Sequence, residues 1–268
     1  MVADETESMN RRDRLRAQAL ADIEHASMSI IDGEGVHALS MAALAKAMRM
    51  SAPGLYRYFA SRDALVAGMV TVAYGQLAEA IMQAGTAAGR RGPLVRVRSM
   101  VAAYRDWALA HPRRYGMLFG ERPADITDTP ESIAPMNSAM ALFMAALQEL
   151  QAADGKPAGP DGPLEGQFRR WMGTRDWTDA PLEASMAGVL IWTRVHGIVG
   201  LELAGVFESS VVSVAQMIDF EVDQAIGSVL QGGMGRGLSR ERLVRTSPCS
   251  CAGTGRIRAR SPACRQHP

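Results

Sequence analysis

Three serines restrict what this chain can fold into more than any count of its residue types. Ser40, Ser51 and Ser61 each stand just ahead of a helix-forming stretch, where the hydroxyl accepts a hydrogen bond from a first-turn N–H that no helical carbonyl reaches. After Ser40 comes Ala42-Ala43-Leu44-Ala45-Lys46-Ala47-Met48, strongly helix-forming and predicted to end near Arg49. Ser51 caps a second helix with Pro53 in its first turn, where the missing N–H is harmless and the fixed φ is already helical. Ser61 opens a third. The spacing predicts two short helices on a tight joint, a helix-turn-helix whose second member enters the major groove of B-DNA.

The charges in this segment agree. From Gly35 to Leu65 four basic residues, Lys46, Arg49, Arg57 and Arg62, stand against one acid, Asp63, which suits a phosphate backbone. The expected DNA-binding residues are Ser40, Met41, Ser51, Ala52, Pro53, Gly54, Tyr56, Arg57, Tyr58 and Arg62. Ala52, Pro53 and Gly54 leave the second helix almost bare, so that backbone and small side chains lie close to base edges and thymine methyls. Tyr56, Arg57 and Tyr58 offer donors at phosphate height, while Leu55 and Phe59 suit the core. Arg62 is a cation in a first helical turn, against the helix dipole, and an external phosphate is the expected reason for it. A plainer reading stands beside this one: alanine-rich helices with a few arginines are ordinary solvated helices, and Tyr56 and Tyr58 are packing residues. The order of caps, small residues, aromatics and cations favours DNA.

With Ile23, Ala26, Ile30, Ile31 and Gly35 upstream, the series Ser40, Leu44, Ala45, Ser51, Leu55-Tyr56-Arg57-Tyr58-Phe59, Ser61-Arg62-Asp63 and Leu65 resembles the N-terminal domain of TetR-family transcriptional repressors. That family often has glycine where Arg49 stands and lysine where Arg62 stands. Arg49 is then expected to strain a turn that favours positive φ, at a cost of order 1 kcal/mol, while adding a cation beside DNA. The resemblance implies a repressor on a palindromic operator, released by a small hydrophobic effector.

The rest of the chain reads as helices. Leu15, Ala19, Ile23, Ala26 and Ile30 mark one from Arg11 to about Asp32, whose Arg11, Arg12, Arg14 and Arg16 are either near DNA or solvated surface. Leu65, Met69, Ala73, Leu77 and Ile81 trace a long helix to about Ala88, broken by Gly89-Arg90-Arg91-Gly92-Pro93. Further helices are expected at 94–110, 112–119 and from about Met136 to Ala153. A Gly/Pro-rich run follows from Asp154 to Gly166, then a partial helical turn between Phe168 and Trp177. Two last helices are expected, Pro181 to Phe207 and one carrying Val211, Val214, Ile218, Val222, Ala225 and Val229. Trp192-Thr193-Arg194-Val195-His196-Gly197 resembles the WHG-type C-terminal domain of some TetR-family members.

Gly188, Gly197, Gly200 and Gly205 thin one side of the penultimate helix. Either this serves packing within one chain, or the last two helices pair with their copies in a homodimer, whose two reading helices would fit a palindrome. Tyr104, Trp107, Phe119, Met140, Met144, Met186, Trp192 and His196 are the expected lining of an effector pocket, or else ordinary core.

The fold class is all-α: an N-terminal three-helix helix-turn-helix domain and a C-terminal helical ligand-binding and dimerisation bundle. The expected division is a frayed 1–10, a DNA-binding domain 11–65, an effector and dimer domain 66–231, and a disordered basic tail 232–268. That tail holds eight arginines against one glutamate, so the preceding residues are net negative although the chain is +1 overall. It also holds Cys249, Cys251 and Cys264, with His267, in a spacing too irregular for a zinc set. No cofactor, metal or catalytic residue is expected, since nucleophile elbows, Walker loops and His-Glu-x-x-His motifs are missing and His196 with Glu202 makes neither a nucleophile nor a metal set. No apolar run approaches the roughly 20 residues that span a bilayer, so a cytoplasmic protein is expected. The competing functions are an architectural or activating DNA binder without an inducer and, further off, an enzyme using the helical pocket.

Overall fold

The computed structural model describes residues 11–123, 125–154, 163–173, 181–209 and 211–229. Among them there is no strand; the elements are α1 (Arg11–Glu34), a 3-10 turn (Val36–Ala38), α2 (Met41–Met48), α3 (Ala52–Leu55), α4 (Arg62–Ala88), a second 3-10 turn (Gly89–Arg91), α5 (Pro93–Ala110), α6 (Pro112–Phe119), α7 (Pro130–Asp154), α8 (Pro163–Gly173), α9 (Leu182–Leu203) and α10 (Val214–Val229). The three serines cap as the sequence predicts. Their hydroxyls accept from the N–H groups of Ala43, Gly54 and Ala64 at 3.1, 3.3 and 3.1 Å.

The helix-turn-helix closes over Ile23, Ile31, Leu44, Leu55 and Leu65, all without solvent exposure. Full burial of such side chains contributes roughly 1.5–3 kcal/mol each. The joint between α2 and α3 turns at Arg49, with φ 55° and ψ 35°, the one non-glycine residue with positive φ among those described. α1 leaves its helical path at Gly35, φ 89°, and α4 is separated from α5 by Gly92, φ 96°, a conformation that costs glycine nothing.

α4 runs unbroken from the third cap past residue 65, where the sequence places a domain boundary, and packs mainly against α5 and α7. α9 lies against α10 and α7. α4 and α9 are each long and apolar enough, by length and composition, to cross a bilayer, against the sequence expectation. About half of each apolar stretch is buried between neighbouring helices, which gives their composition a reason within the bundle.

Other boundaries and faces also differ from expectation. α7 starts at Pro130, six residues before Met136, and carries Pro135 within its first turns. α8 takes up Pro163–Gly173, so the end of the Gly/Pro-rich run is helical. Leu15 is 62% exposed and Val211 fully so, because the buried stripe of α1 begins only at Ile23 and α10 begins only at Val214. The expectations for 1–10, 155–162, Trp177 and the cysteine-bearing tail lie outside the described residues.

Candidate nucleic-acid interface and effector cavity

The three caps and the αL turn at Arg49 fix where side chains of the helix-turn-helix can go. Of the residues expected at DNA, Ser51, Pro53, Tyr56 and Arg57 are exposed and Ser40, Ala52 and Tyr58 are half-buried. Lys46 and Arg49 are exposed as well. From the first turns of α1, Arg16 places its guanidinium 5.5 Å from the centre of the Tyr58 ring, a cation–π contact that brings α1 to the same face. The periodicity of α1 leaves Arg16 undecided, since it reveals no contact made across space.

Three expected DNA contacts have other roles. Met41 is buried in the helix-turn-helix core, because the residue after an N-cap faces inward here. Gly54 is buried too; a Cβ there would lie 3.2 Å from Ser51 Oγ, so its bareness lets α3 close on its own cap. Arg62 turns inward, its Nε donating to the Leu39 carbonyl at 2.8 Å and one Nη to the Val36 carbonyl at 3.2 Å. The carbonyls at the end of the first 3-10 turn supply the partner that the sequence reading sought in phosphate.

Two cavities share a wall in the bundle. An inner slot of about 50 Å³ is bounded by α4, α5, α7 and α9, through side chains that include Ile81, Met100, Tyr104, Phe143 and Val195. A larger cavity of about 310 Å³ is lined by Tyr74, Phe119, Asp128, Asn137, Met144 and Trp171 among others, and Met136, Met140 and Trp192 belong to both. Five expected pocket residues, Tyr104, Phe119, Met140, Met144 and Trp192, therefore line one cavity or the other.

Trp107, Met186 and His196 line neither. Trp107 is buried with its ring 5.4 Å from that of His111, and Met186 is core at 2% exposure. His196 stands behind the wall: its ring stacks on Trp192 at 5.4 Å and meets Phe119 edge-on at 4.9 Å. Its Nδ1 lies 2.8 Å from the Tyr104 hydroxyl and 2.9 Å from that of Tyr115. Burial raises both phenols and lowers the imidazole, so two hydroxyl donors meet one neutral acceptor. Assigning protons by distance, Tyr104 donates to Nδ1 and Tyr115 reaches the His196 carbonyl at 3.4 Å. The network pins α5 and α6 to α9. Glu202, the other half of the pairing considered for chemistry, is held by Arg105, whose Nε is 2.8 Å from its carboxylate. Among the described residues no three His, Cys, Asp or Glu side chains are grouped to hold a metal ion.

Tyr74, Asp128, Asn137 and Trp171 were missed from the sequence. Tyr74 lies on α4, and Asp128 lies in a loop whose course nothing in the sequence predicts. α6 joins the cavity to the DNA-binding unit. Phe119 ends it, and near its start Arg114 donates from Nε to Asp32 of α1 at 2.8 Å and from Nη1 to Gln76 of α4 at 2.7 Å.

Comparison with known proteins agrees with this architecture. Residues 23–69 match the profile of bacterial regulatory proteins of the tetR family, and residues 97–225 that of the tetracyclin repressor-like C-terminal domain. The HTH-type transcriptional regulators Mb1846 of Mycobacterium bovis and Rv1816 of Mycobacterium tuberculosis are each 29% identical over 110 residues, which is 41% of this chain and 47% of theirs. The chain thus spans about half the length of the curated relatives it matches. The candidate regulatory protein SCO4313 has a crystal structure that is 30% identical, with a TM-score of 0.66, covering 81% of this chain and all of that one. A TetR family transcription regulator from Marinobacter aquaeolei VT8 shares the fold, with a TM-score of 0.52 and 18% identity over 81% of this chain and 98% of its own. The capped helix-turn-helix, the helical bundle behind it and these matches together place the chain in the TetR family of DNA-binding transcription regulators.

Proposed function

We propose that the chain is a homodimeric repressor that sits on a palindromic operator and leaves it when a small, mostly apolar effector enters the bundle. The observation that carries this reading is continuity: α4 begins at the cap beside the reading turn and ends in the wall of the inner slot, where Ile81 lies. An occupant that prefers one arrangement of the helices shifts α4, and with it the separation of two reading turns. It does so only through a difference in affinity for the two arrangements.

Ser51, Ala52, Pro53, Tyr56, Arg57 and Tyr58 form the reading surface, with Arg16, Lys46 and Arg49 as flanking cations. A dimer through α9 and α10 is supported by their unpartnered face. Leu201 is 49% and Phe220 58% exposed, and a Cβ on Gly197 or Gly200 would meet nothing within 4 Å. Gly188, by contrast, packs against Met144 of the same chain, so the glycines of α9 divide between the two roles left open by the sequence.

The test is footprinting of the full chain on the DNA upstream of its own gene, with and without candidate effectors. A symmetric protected site that vanishes when the cavity is filled is the expected result. An unprotected upstream region rejects operator binding, and protection that no cavity ligand alters rejects induction and leaves the architectural or activating alternative.

A further inference from the structure

The larger cavity has a chemical signature that its size does not imply. Four aromatic rings, Tyr74, Phe119, Trp171 and Trp192, bound it together with one carboxylate, Asp128, and one amide, Asn137; no Lys, Arg or His is among its lining residues. The nearest cation, Arg122, bonds one carboxylate oxygen of Asp128 but belongs to the adjoining surface groove beside Gly120 and Pro123. The cavity therefore meets the acidic side of that pair. Aromatic faces carry negative potential, and they hold a cation best where water is excluded. An anion placed there would face a carboxylate and four ring faces with no cation in reach.

We infer that this cavity takes a lipophilic organic cation, a protonated amine or quaternary ammonium, with its charged head among the aromatic rings beside Asp128 and its apolar part directed toward the inner slot. The route inward passes Met136, Met140 and Trp192, the residues common to both cavities. The inner slot is wholly apolar in its side chains apart from the Tyr104 hydroxyl, which is already bonded to His196. Unbranched thioether side chains change rotamer easily, so a slot too small for more than a few methylenes at rest widens around a chain. His196 holds the Trp192 indole by stacking on it, which keeps that ring in place for the head group.

The inference rests on reading the bundle as an effector site, and its test separates the two. The full chain is titrated, by calorimetry and tryptophan fluorescence, with decyltrimethylammonium, decanol and decanoate below their aggregation concentrations. The three share a ten-carbon chain and differ in head charge. Decyltrimethylammonium is expected to bind at least about tenfold tighter than decanoate, in line with a desolvated cation–π and carboxylate site. Asp128→Asn should cut the affinity for the cation roughly tenfold and leave decanol unchanged. Trp192→Leu, with its fold checked by circular dichroism, should weaken the cation more than the alcohol. Decanoate binding as tightly as the cation, no binding of any probe, or a preference untouched by both variants would each overturn the inference. Operator release is measured separately: a cation that binds with the expected selectivity yet leaves the DNA complex intact refutes effector control and not the preference of the cavity.

Discussion

Arg49 offers a substitution whose two effects have opposite signs. It occupies the left-handed region at φ 55° and ψ 35°, at the end of α2, a conformation that costs an L-residue roughly 1–2 kcal/mol. Replacing it with glycine removes that strain, and the greater freedom of glycine in the unfolded chain returns about 0.5–1 kcal/mol of it. The expected net gain is then up to about 1 kcal/mol, or about 2–4 °C in Tm for a chain of this size. Arg49→Ala is the control, because it removes the same exposed side chain and keeps the strain. Arg49→Gly should exceed it in stability by about 1 kcal/mol. Unfolding is followed at one fixed protein concentration, since dimerisation couples stability to concentration. On operator DNA the two variants should behave alike: both weaken binding, and the slope of log affinity against log salt becomes shallower by about 0.9 for each phosphate no longer neutralised. An alanine variant as stable as the glycine variant refutes the strain argument. A salt slope equal to that of the unmodified chain removes Arg49 from the DNA face.

Arg57→Ala should lower operator affinity and the salt slope with no change in unfolding midpoint, whereas Arg62→Ala should cost about 1–2 kcal/mol in urea unfolding because the Leu39 and Val36 carbonyls go without their donor; the reverse pattern would exchange their roles. Gly188→Ala places a Cβ 2.3 Å from Met144 Cε, so the thioether must swing into the cavity. Stability should change little, because the gain in helix propensity of about 1 kcal/mol offsets the shift, while calorimetry should show decyltrimethylammonium affinity falling several-fold. For pH, burial holds His196 neutral below its ordinary value of 6.5, so the unfolded chain takes up the proton first. The stability this provides is full above that value and is lost as pH falls through the lowered one. His196→Phe should flatten the fall in urea midpoint between about pH 7 and 5 only in part, because burial and Arg114 lower His111 in the same direction. An unchanged profile would refute the neutral acceptor at the Tyr104 and Tyr115 hydroxyls.

What could be read from the sequence was what depends on near neighbours along the chain. Ser40, Ser51 and Ser61 cap locally, Arg49 turns locally, and the three- and four-residue spacing from Leu65 to Ile81 records one buried face. Tertiary partners were hidden. Arg62 finds carbonyls more than twenty residues earlier, and a first-turn cation looks the same in sequence whether its partner is phosphate or backbone. Met41 and Gly54 sit between exposed neighbours, and a helix as short as α3 has no period from which to tell inside from outside. The cavity was half legible for the same reason. Met140, Met144 and Trp192 lie on amphipathic helices, but Trp107 and Met186 have the same residue character and face other neighbours. Asp128, the one acid on the cavity wall, comes from a loop with no pattern to place it.

The joint at Arg114 has a mechanical consequence. α6 is eight residues long, about 12 Å at 1.5 Å per residue, and two turns of hydrogen-bonded helix are too stiff to absorb strain by bending. One end of this strut pushes on the floor of the cavity through Phe119, and the other is riveted by a single guanidinium to the tail of α1 and the flank of α4. A nudge at the floor is delivered undiminished to the rivet. The angle between the reading head and its shaft is therefore set by one side chain in contact with both.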